Sequence, residues 1–241
     1  MNWISKHIWE VLLASILINV IGLYFVGQRI YWGYLRSHFV KTSPNYVQQS
    51  KRELFSSLSI GPEDIVFIGN SIIDACEWSE LFNNKHIKNR GIRSDNIKGI
   101  HDRIDLVITG KPRKIFIMAG INDLIGNRGS QHIKKYFEKI CLKVEHISPT
   151  TQVYIFSVLP INRRHREFKF DSEEIIETNK QLKALSEKSP RLTFIELHNH
   201  FLNEYGELDS VYSYDGMHLN GQGYVLWKEL AEGHVEEDLS L

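Results

Sequence analysis

Ser71 is the first residue whose type and neighbours could do chemistry. It stands in the segment Gly69-Asn70-Ser71-Ile72, directly after an apolar, β-branched run. A glycine at such a place permits a tight strand-to-helix turn, and the N–H groups that open the helix can stabilise a developing oxyanion. A serine also suits the capping position of a helix, and on this segment alone capping is favoured over catalysis.

Two further segments carry groups that complement a nucleophilic serine. Asp215 and His218 lie three residues apart, and a carboxylate can fix the tautomer of an imidazole and stabilise its protonated form. Asn122, in Gly120-Ile121-Asn122-Asp123, offers a side-chain amide that can donate to an oxyanion, although Asn and Asp are also ordinary loop residues. Each segment is ambiguous when it is taken alone.

A metal site is disfavoured. The chain has eleven histidines, of which His198 and His200 are the close pair, and they lack acidic or thiolate companions at ligand spacing. The sequence therefore predicts neither a metal nor another cofactor.

The elements that must position these residues begin at Ile65. From there, short β-branched runs alternate with longer amphipathic stretches, which is typical of βαβ units and a parallel sheet. Strands are predicted at 65–68, 87–89, 115–118, 153–156 and 192–195, and longer helices at 131–146, 173–187 and 223–232. The predicted fold class is α/β: a three-layer α/β/α sandwich with a five-stranded parallel sheet. Ligands of such sheets bind outside the carboxyl ends of the strands, which is where Ser71 and Asn122 stand.

The order of these segments is more specific than any one of them. Over roughly Ile65 to Ala231 the chain resembles the SGNH hydrolases, also called the GDSL-type esterase/lipase family, and is nearest to the members like platelet-activating-factor acetylhydrolase and the carbohydrate O-acetylesterases. The matching blocks are Gly69-Asn70-Ser71, Asn89-Arg90-Gly91, Gly120-Ile121-Asn122-Asp123 and Asp215-Gly216-Met217-His218. One departure is Asn70, which stands where the family usually has aspartate.

The resemblance implies a flavodoxin-like fold and a role for each matched residue. Ser71 would be the nucleophile, His218 the general base and Asp215 the acid that orients it. The oxyanion hole would consist of the N–H groups of Ser71 and Gly91 and the side-chain amide of Asn122.

The resemblance also implies the reaction. The expected function is hydrolysis of short-chain acyl esters, above all acetyl esters on a carbohydrate, through a Ser-His-Asp triad and an acyl-enzyme. A first alternative is a membrane-anchored O-acetyltransferase that uses the same triad. A second is a non-catalytic glycan-binding module on the same scaffold.

Composition narrows the classes of partner. Lys and Arg number 29, as do Asp and Glu, so the formal net charge is zero and binding to nucleic acid is not expected. The two cysteines, Cys76 and Cys141, are too few for a disulfide framework.

One segment departs from the average. The eighteen residues 11–28 carry no charge and would span about 27 Å as a helix, close to the thickness of a bilayer core. Aromatic residues flank both ends, and no clear small-x-small cleavage site follows, so a transmembrane or signal-anchor helix is favoured over a cleaved signal peptide or a buried helix.

The predicted organisation is a membrane helix at 1–29, a stalk and first helix at 30–64, and the hydrolase domain at 65–241. Topology signals disagree. Lys6 precedes the apolar segment while Arg29, Arg36 and Lys41 follow it, a bias that favours a cytoplasmic domain. Exported or surface glycans as substrates favour the outside, and we expect the catalytic domain to be extracytoplasmic.

Overall fold

The structure is a computed structural model that describes residues 7–164 and 167–237, with 36–45 described by their backbone alone. The chain divides into two compact units, Met1–Tyr46 and Val47–Leu241. The domain limits predicted from the sequence stay predictions.

The first helix, α1, runs without a break over Ile8–Ser56. Its portion Ile8–Leu35, of 28 residues and mean hydropathy 2.0, is long and apolar enough to cross a membrane, and none of its most apolar window is buried. A signal sequence would meet the same criterion of length and composition. The helix is therefore compatible with the predicted anchor and with a cleaved signal peptide.

A five-stranded parallel sheet forms the centre of the second unit. Its strands are β1 (Ile65–Gly69), β2 (Ile87–Gly91), β3 (Lys114–Met118), β4 (Gln152–Phe156) and β5 (Leu192–Ile195). They lie in the order β2-β1-β3-β4-β5. β2 is thus the edge strand on one side of β1, and β3, β4 and β5 follow in turn on its other side. Gly69, at the end of β1, is in register with Gly91 of β2 and Met118 of β3. The predicted sheet is confirmed.

Helices cover both faces of this sheet. The structure shows α2 (Ser71–Asp74), α3 (Trp78–Leu81), α4 (Ile97–Arg103), α5 (Asp105–Ile108), α6 (Ile121–Ile125), α7 (Gly129–Ile147), α8 (Glu173–Ser186) and α9 (Gly221–Glu236), with a 3₁₀ turn at His198–Phe201. The three longer helices, α7, α8 and α9, correspond to the predicted ones, and α7 and α9 extend beyond the predicted limits by at most four residues at either end.

Alternation along the strands separates two cores. Val66 and Ile68 of β1 face one core with Ile133 and Phe137 of α7, while Phe67 faces the other. The second core is aromatic: the rings of Phe67 and Phe116 stack with centroids 4.7 Å apart, and Trp78 stacks on Phe67 at 4.5 Å. Because helices cover both faces of the sheet, a ligand can approach it at the carboxyl ends of the strands.

Candidate active site

Ser71 opens helix α2 directly after β1. The residue that caps this helix is Asn70, whose Oδ1 accepts the Ile72 N–H at 2.9 Å. Ser71 therefore does not cap the helix, and its Oγ lies 3.0 Å from Nε2 of His218.

Asp215 and His218 form the second half of the site. Oδ2 of Asp215 lies 2.7 Å from Nδ1 of His218, and its Oδ1 accepts the backbone N–H groups of His218 at 2.8 Å and of Met217 at 3.0 Å. Gly216 makes this tight turn possible with φ at +78°. Partial burial opposes ionisation of the carboxyl, but the hydrogen bonds from the His218 ring and from the two N–H groups lower the pKa of Asp215 to about 2.

This geometry gives the two imidazole nitrogens different hydrogen-bond roles. An ionised Asp215 accepts the Nδ1–H of the imidazole, and the neutral Nε2 is then free to accept the Ser71 hydroxyl proton. Ser71, His218 and Asp215 therefore form one line of hydrogen bonds, as required of a serine nucleophile with its base and orienting acid.

Asn89 binds the carboxyl end of helix α2, which Ser71 begins. Its Nδ2 donates to the carbonyls of Ile73 at 3.0 Å and Cys76 at 2.9 Å, while its Oδ1 accepts the Gly91 N–H at 2.7 Å. A Cβ on Gly91 would lie 2.1 Å from the backbone N of Asp74. Gly91 thus allows β2 and α2 to approach closely, and its N–H is already donated to a side chain.

Asn122 lies beside the turn that follows β2. Its Nδ2 donates to the carbonyl of Asp95 at 2.8 Å, which leaves the second N–H of the amide for another acceptor. The turn itself is closed by the Asp95 N–H, which donates to the Ile92 carbonyl at 3.1 Å.

Ser94 is the residue that sequence reasoning missed. It occupies this turn with φ at +60°, a left-handed conformation that is uncommon for any residue other than glycine. Its N–H donates to no other residue within the described chain. A glycine or asparagine would have marked such a conformation in the sequence, and a serine gives no such signal.

Among the side chains that the structure describes, no group of three or more His, Cys, Asp or Glu is placed to hold a metal ion.

A parallel α/β/α sandwich with a serine, a histidine and an aspartate in line at the carboxyl ends of its strands has the architecture of a serine hydrolase. Residues 67–226 match the family model of the GDSL-like lipase/acylhydrolase family. The chain belongs to this family.

Individual relatives show how far the likeness extends. An N-acylneuraminate cytidylyltransferase of Escherichia coli is 30% identical over 186 residues, which is 76% of this chain and 42% of that protein. The chain thus spans less than half the length of this curated relative.

Solved structures resemble the chain over most of their length. A Streptococcus pneumoniae protein, provisionally described as a platelet activating factor, has a TM-score of 0.73 and 25% identity, covering 86% of this chain and 98% of its own. An acetylxylan esterase from Geobacillus stearothermophilus has a TM-score of 0.60 and 16% identity, covering 75% and 98%. The latter likeness concerns the fold alone.

Proposed function

We propose that this protein is a serine esterase that removes short acyl groups, chiefly acetyl groups, from the hydroxyls of a carbohydrate. The observation that carries the proposal is the hydrogen-bond line from Ser71 Oγ to His218 Nε2, 3.0 Å, and from His218 Nδ1 to Asp215, 2.7 Å. A hydroxyl, an imidazole and a carboxylate in this order are the groups that acyl transfer by a serine nucleophile requires.

The reaction proceeds in two steps. His218 Nε2 takes the Ser71 proton as Oγ attacks the ester carbonyl, and the imidazolium returns that proton to the leaving sugar hydroxyl. Water then attacks the acyl-Ser71 ester while His218 Nε2 takes a proton from it. The bond from the acyl carbon to Ser71 Oγ breaks, the imidazolium returns the proton to Oγ, and the carboxylic acid is released. Asp215 stays ionised throughout and stabilises the imidazolium.

The oxyanion is stabilised by donors from different loops. The Ser71 N–H and the free N–H of the Asn122 amide are two of them, as predicted from the family resemblance. For the third we propose the Ser94 N–H instead of the predicted Gly91, because the Gly91 N–H is donated to Asn89 and the Ser94 N–H is unused within the described chain. Loss of one such donor lowers kcat by about 10²–10³-fold in other hydrolases.

The cavity next to the Asn70 turn is too small for a long acyl chain. It lies between Asn70, Met118 and Val158 and has a volume of about 10 Å³, no more than the minimum that one water molecule needs. A long acyl chain would have no place there. The carbohydrate part of the proposal is supported by two relatives whose names specify sugars, the acetylxylan esterase and the N-acylneuraminate cytidylyltransferase.

Release of acetate from a defined panel tests the proposal. The panel contains 4-nitrophenyl acetate, 4-nitrophenyl decanoate, acetylated xylo-oligosaccharide and O-acetylated N-acetylneuraminic acid. We expect hydrolysis of the acetyl esters and little of the decanoate, and we expect Ser71→Ala to abolish it. Ser79→Ala, which removes a hydroxyl from α3 and none of the hydrogen bonds above, is the matched control and should remain active.

Three results would overturn the proposal. Hydrolysis at the wild-type rate by Ser71→Ala would show that another group is the nucleophile. Acetate that appears on an added sugar acceptor instead of in water would identify an acetyltransferase, and failure of a fluorophosphonate probe to label Ser71 would point to a non-catalytic module.

A further inference from the structure

A buried ion pair connects the turn that carries Ser94 with the end of β1, which precedes Ser71. Arg103, on α4, is 4% exposed and Asp95 is 2% exposed. The Arg103 Nε donates to Oδ2 of Asp95 at 2.8 Å, and its Nη2 donates to the carbonyl of Gly69 at 3.1 Å. One guanidinium thus binds the residue after Ser94 and the last residue of the strand that leads to Ser71.

Asp95 extends this connection to a second oxyanion donor. Its carbonyl accepts the Asn122 amide at 2.8 Å, and its other carboxylate oxygen lies 3.5 Å from Nη2 of Arg52 in the last turns of α1. A Cβ on Gly99 would lie 1.9 Å from that same oxygen, so α4 approaches Asp95 where only a glycine fits.

Stability alone is a poor explanation for this arrangement. Removing an arginine and an aspartate from water is unfavourable for each ion, and a well-packed apolar pair is often as stable. What an apolar pair lacks is the planar fork that directs two donors at two fixed acceptors. Here the two acceptors belong to the oxyanion turn and to the nucleophile strand.

We propose that Arg103 is a positioning residue for the oxyanion hole, acting through Asp95, with Arg52 as a second and weaker support. It sets the distance between the Ser71 end of β1 and the donors at Ser94 and Asn122. This inference rests on the proposed function, since it assigns the support of the same site.

Arg103→Lys is the principal test, because lysine keeps the charge but lacks the fork. We expect kcat for 4-nitrophenyl acetate to fall on the order of 10- to 100-fold, as a displacement of about 1 Å does in enzymes, with KM within about twofold. The pH profile of kcat/KM should keep its shape, because the His218–Asp215 pair is untouched. A rise in KM at unchanged kcat would overturn the proposal.

The control is a buried hydrogen-bond network at the opposite edge of the sheet. Thr151 Oγ1 donates to the Pro112 carbonyl and lies 2.6 Å from Ser148 Oγ, next to the amino ends of β3 and β4. Thr151→Val should lower the urea midpoint without lowering kcat. Equal losses of kcat in Thr151→Val and Arg103→Lys would show a general effect of instability and refute the inference.

A double-mutant cycle supplies a readout that a purely structural role would not move. If Arg103 acts through the oxyanion donors, Arg103→Lys should cost much less in kcat when Asn122→Ala is already present. Fold-losses that multiply would refute the coupling. Arg52→Gln, at a half-exposed position, provides a variant that folds if Arg103→Lys does not, and we expect it to lower kcat about threefold with the same dependence on Asn122.

The two proposals fail in different ways. A wild-type protein that neither hydrolyses 4-nitrophenyl acetate nor reacts with a fluorophosphonate would overturn the proposed function. An active wild type whose Arg103→Lys and Arg52→Gln variants keep full kcat would overturn the positioning role alone.

Discussion

Asn70 caps helix α2 in place of Ser71, and this leaves the Ser71 hydroxyl available for the proposed reaction. Asn70 is 1% exposed, and its Oδ1 makes the capping bond to the Ile72 N–H. The aspartate that the family usually has could accept the same bond, but it would bring a charge into a buried place where that charge needs a partner. The amide therefore keeps the cap, and Ser71 keeps its hydroxyl for His218.

Asp215 gives the protein a pH dependence whose sign follows from its hydrogen bonds. The pKa of about 2 in the folded protein lies below the ordinary 3.8. The bonds to Asp215 therefore stabilise the fold above about pH 4 and are lost as pH falls from about 4 to 2. We expect the difference in unfolding free energy between wild type and Asp215→Asn to be constant from about pH 8 to 5 and to narrow below about pH 4.

Urea unfolding at each pH measures this difference. Asp171→Asn is the control, because Asp171 accepts one backbone N–H, at 3.3 Å, and no side-chain donor within the described residues. A difference for Asp215→Asn that stays constant down to about pH 3 would contradict the lowered pKa.

The strands and long helices were predictable because their patterns extend over enough residues. Each of the five predicted strands lies within an observed one, and α7 shows the expected apolar stripe through Ile133, Phe137 and Ile140. Helices α2 to α6 have four to seven residues, which is too short for a periodicity to be visible. The continuity of α1 through Ser56 was also not predicted, since 30–64 was assigned partly to a stalk.

In the site, the sequence could place the groups but not their hydrogen bonds. Ser71, Asn122 and Asp215 are predicted as site residues because each follows a strand or precedes the last helix. The bond from Gly91 to Asn89 and the left-handed turn at Ser94 depend on how β2, α2 and α4 pack together. No local pattern of residues encodes such contacts.

Gly91 provides a prediction at the level of two packed elements. Gly91→Ala keeps the backbone N–H but places a Cβ 2.1 Å from the N and 2.5 Å from the Cα of Asp74, so α2 must move away from β2. We expect a loss of about 1–3 kcal/mol in unfolding free energy, as overpacking costs elsewhere, together with lower kcat because α2 carries Ser71.

Gly221→Ala is the matched control for this substitution. Gly221 begins α9, and nothing lies within 4 Å of a Cβ built on it. Urea unfolding and 4-nitrophenyl acetate kinetics on both variants check the prediction. Unchanged stability of Gly91→Ala would show that β2 and α2 need no glycine at their contact.

The last turns of α1 belong to the second unit, which begins at Val47. Phe55 is 6% exposed with the Arg90 guanidinium 5.0 Å from its ring centroid, and Lys51 lies 2.9 Å from Asp74. The family match starts only at residue 67, so these turns extend the folded unit beyond the matched region. A chain that is meant to be soluble and active should therefore begin at residue 47 and not at residue 65.

At the scale of the whole molecule, we predict that the full chain and the chain from Val47 onward differ in membrane association and share the same activity. The full chain should stay with membranes through alkaline carbonate extraction, because Ile8–Leu35 can span a bilayer. The chain from Val47 onward should stay in the supernatant and hydrolyse 4-nitrophenyl acetate with the same kcat, because its folded unit is complete. Intact-mass measurement distinguishes an anchor from a signal sequence, since loss of the first thirty or so residues from the membrane-free form would contradict the anchor.

Labelling of lysines on intact cells with a membrane-impermeant amine reagent tests on which side of the membrane the catalytic unit lies. We expect the catalytic unit to be modified, because we propose an extracytoplasmic esterase. Protection of its lysines until the cells are lysed would favour the cytoplasmic side, which the positions of Arg29, Arg36 and Lys41 indicate.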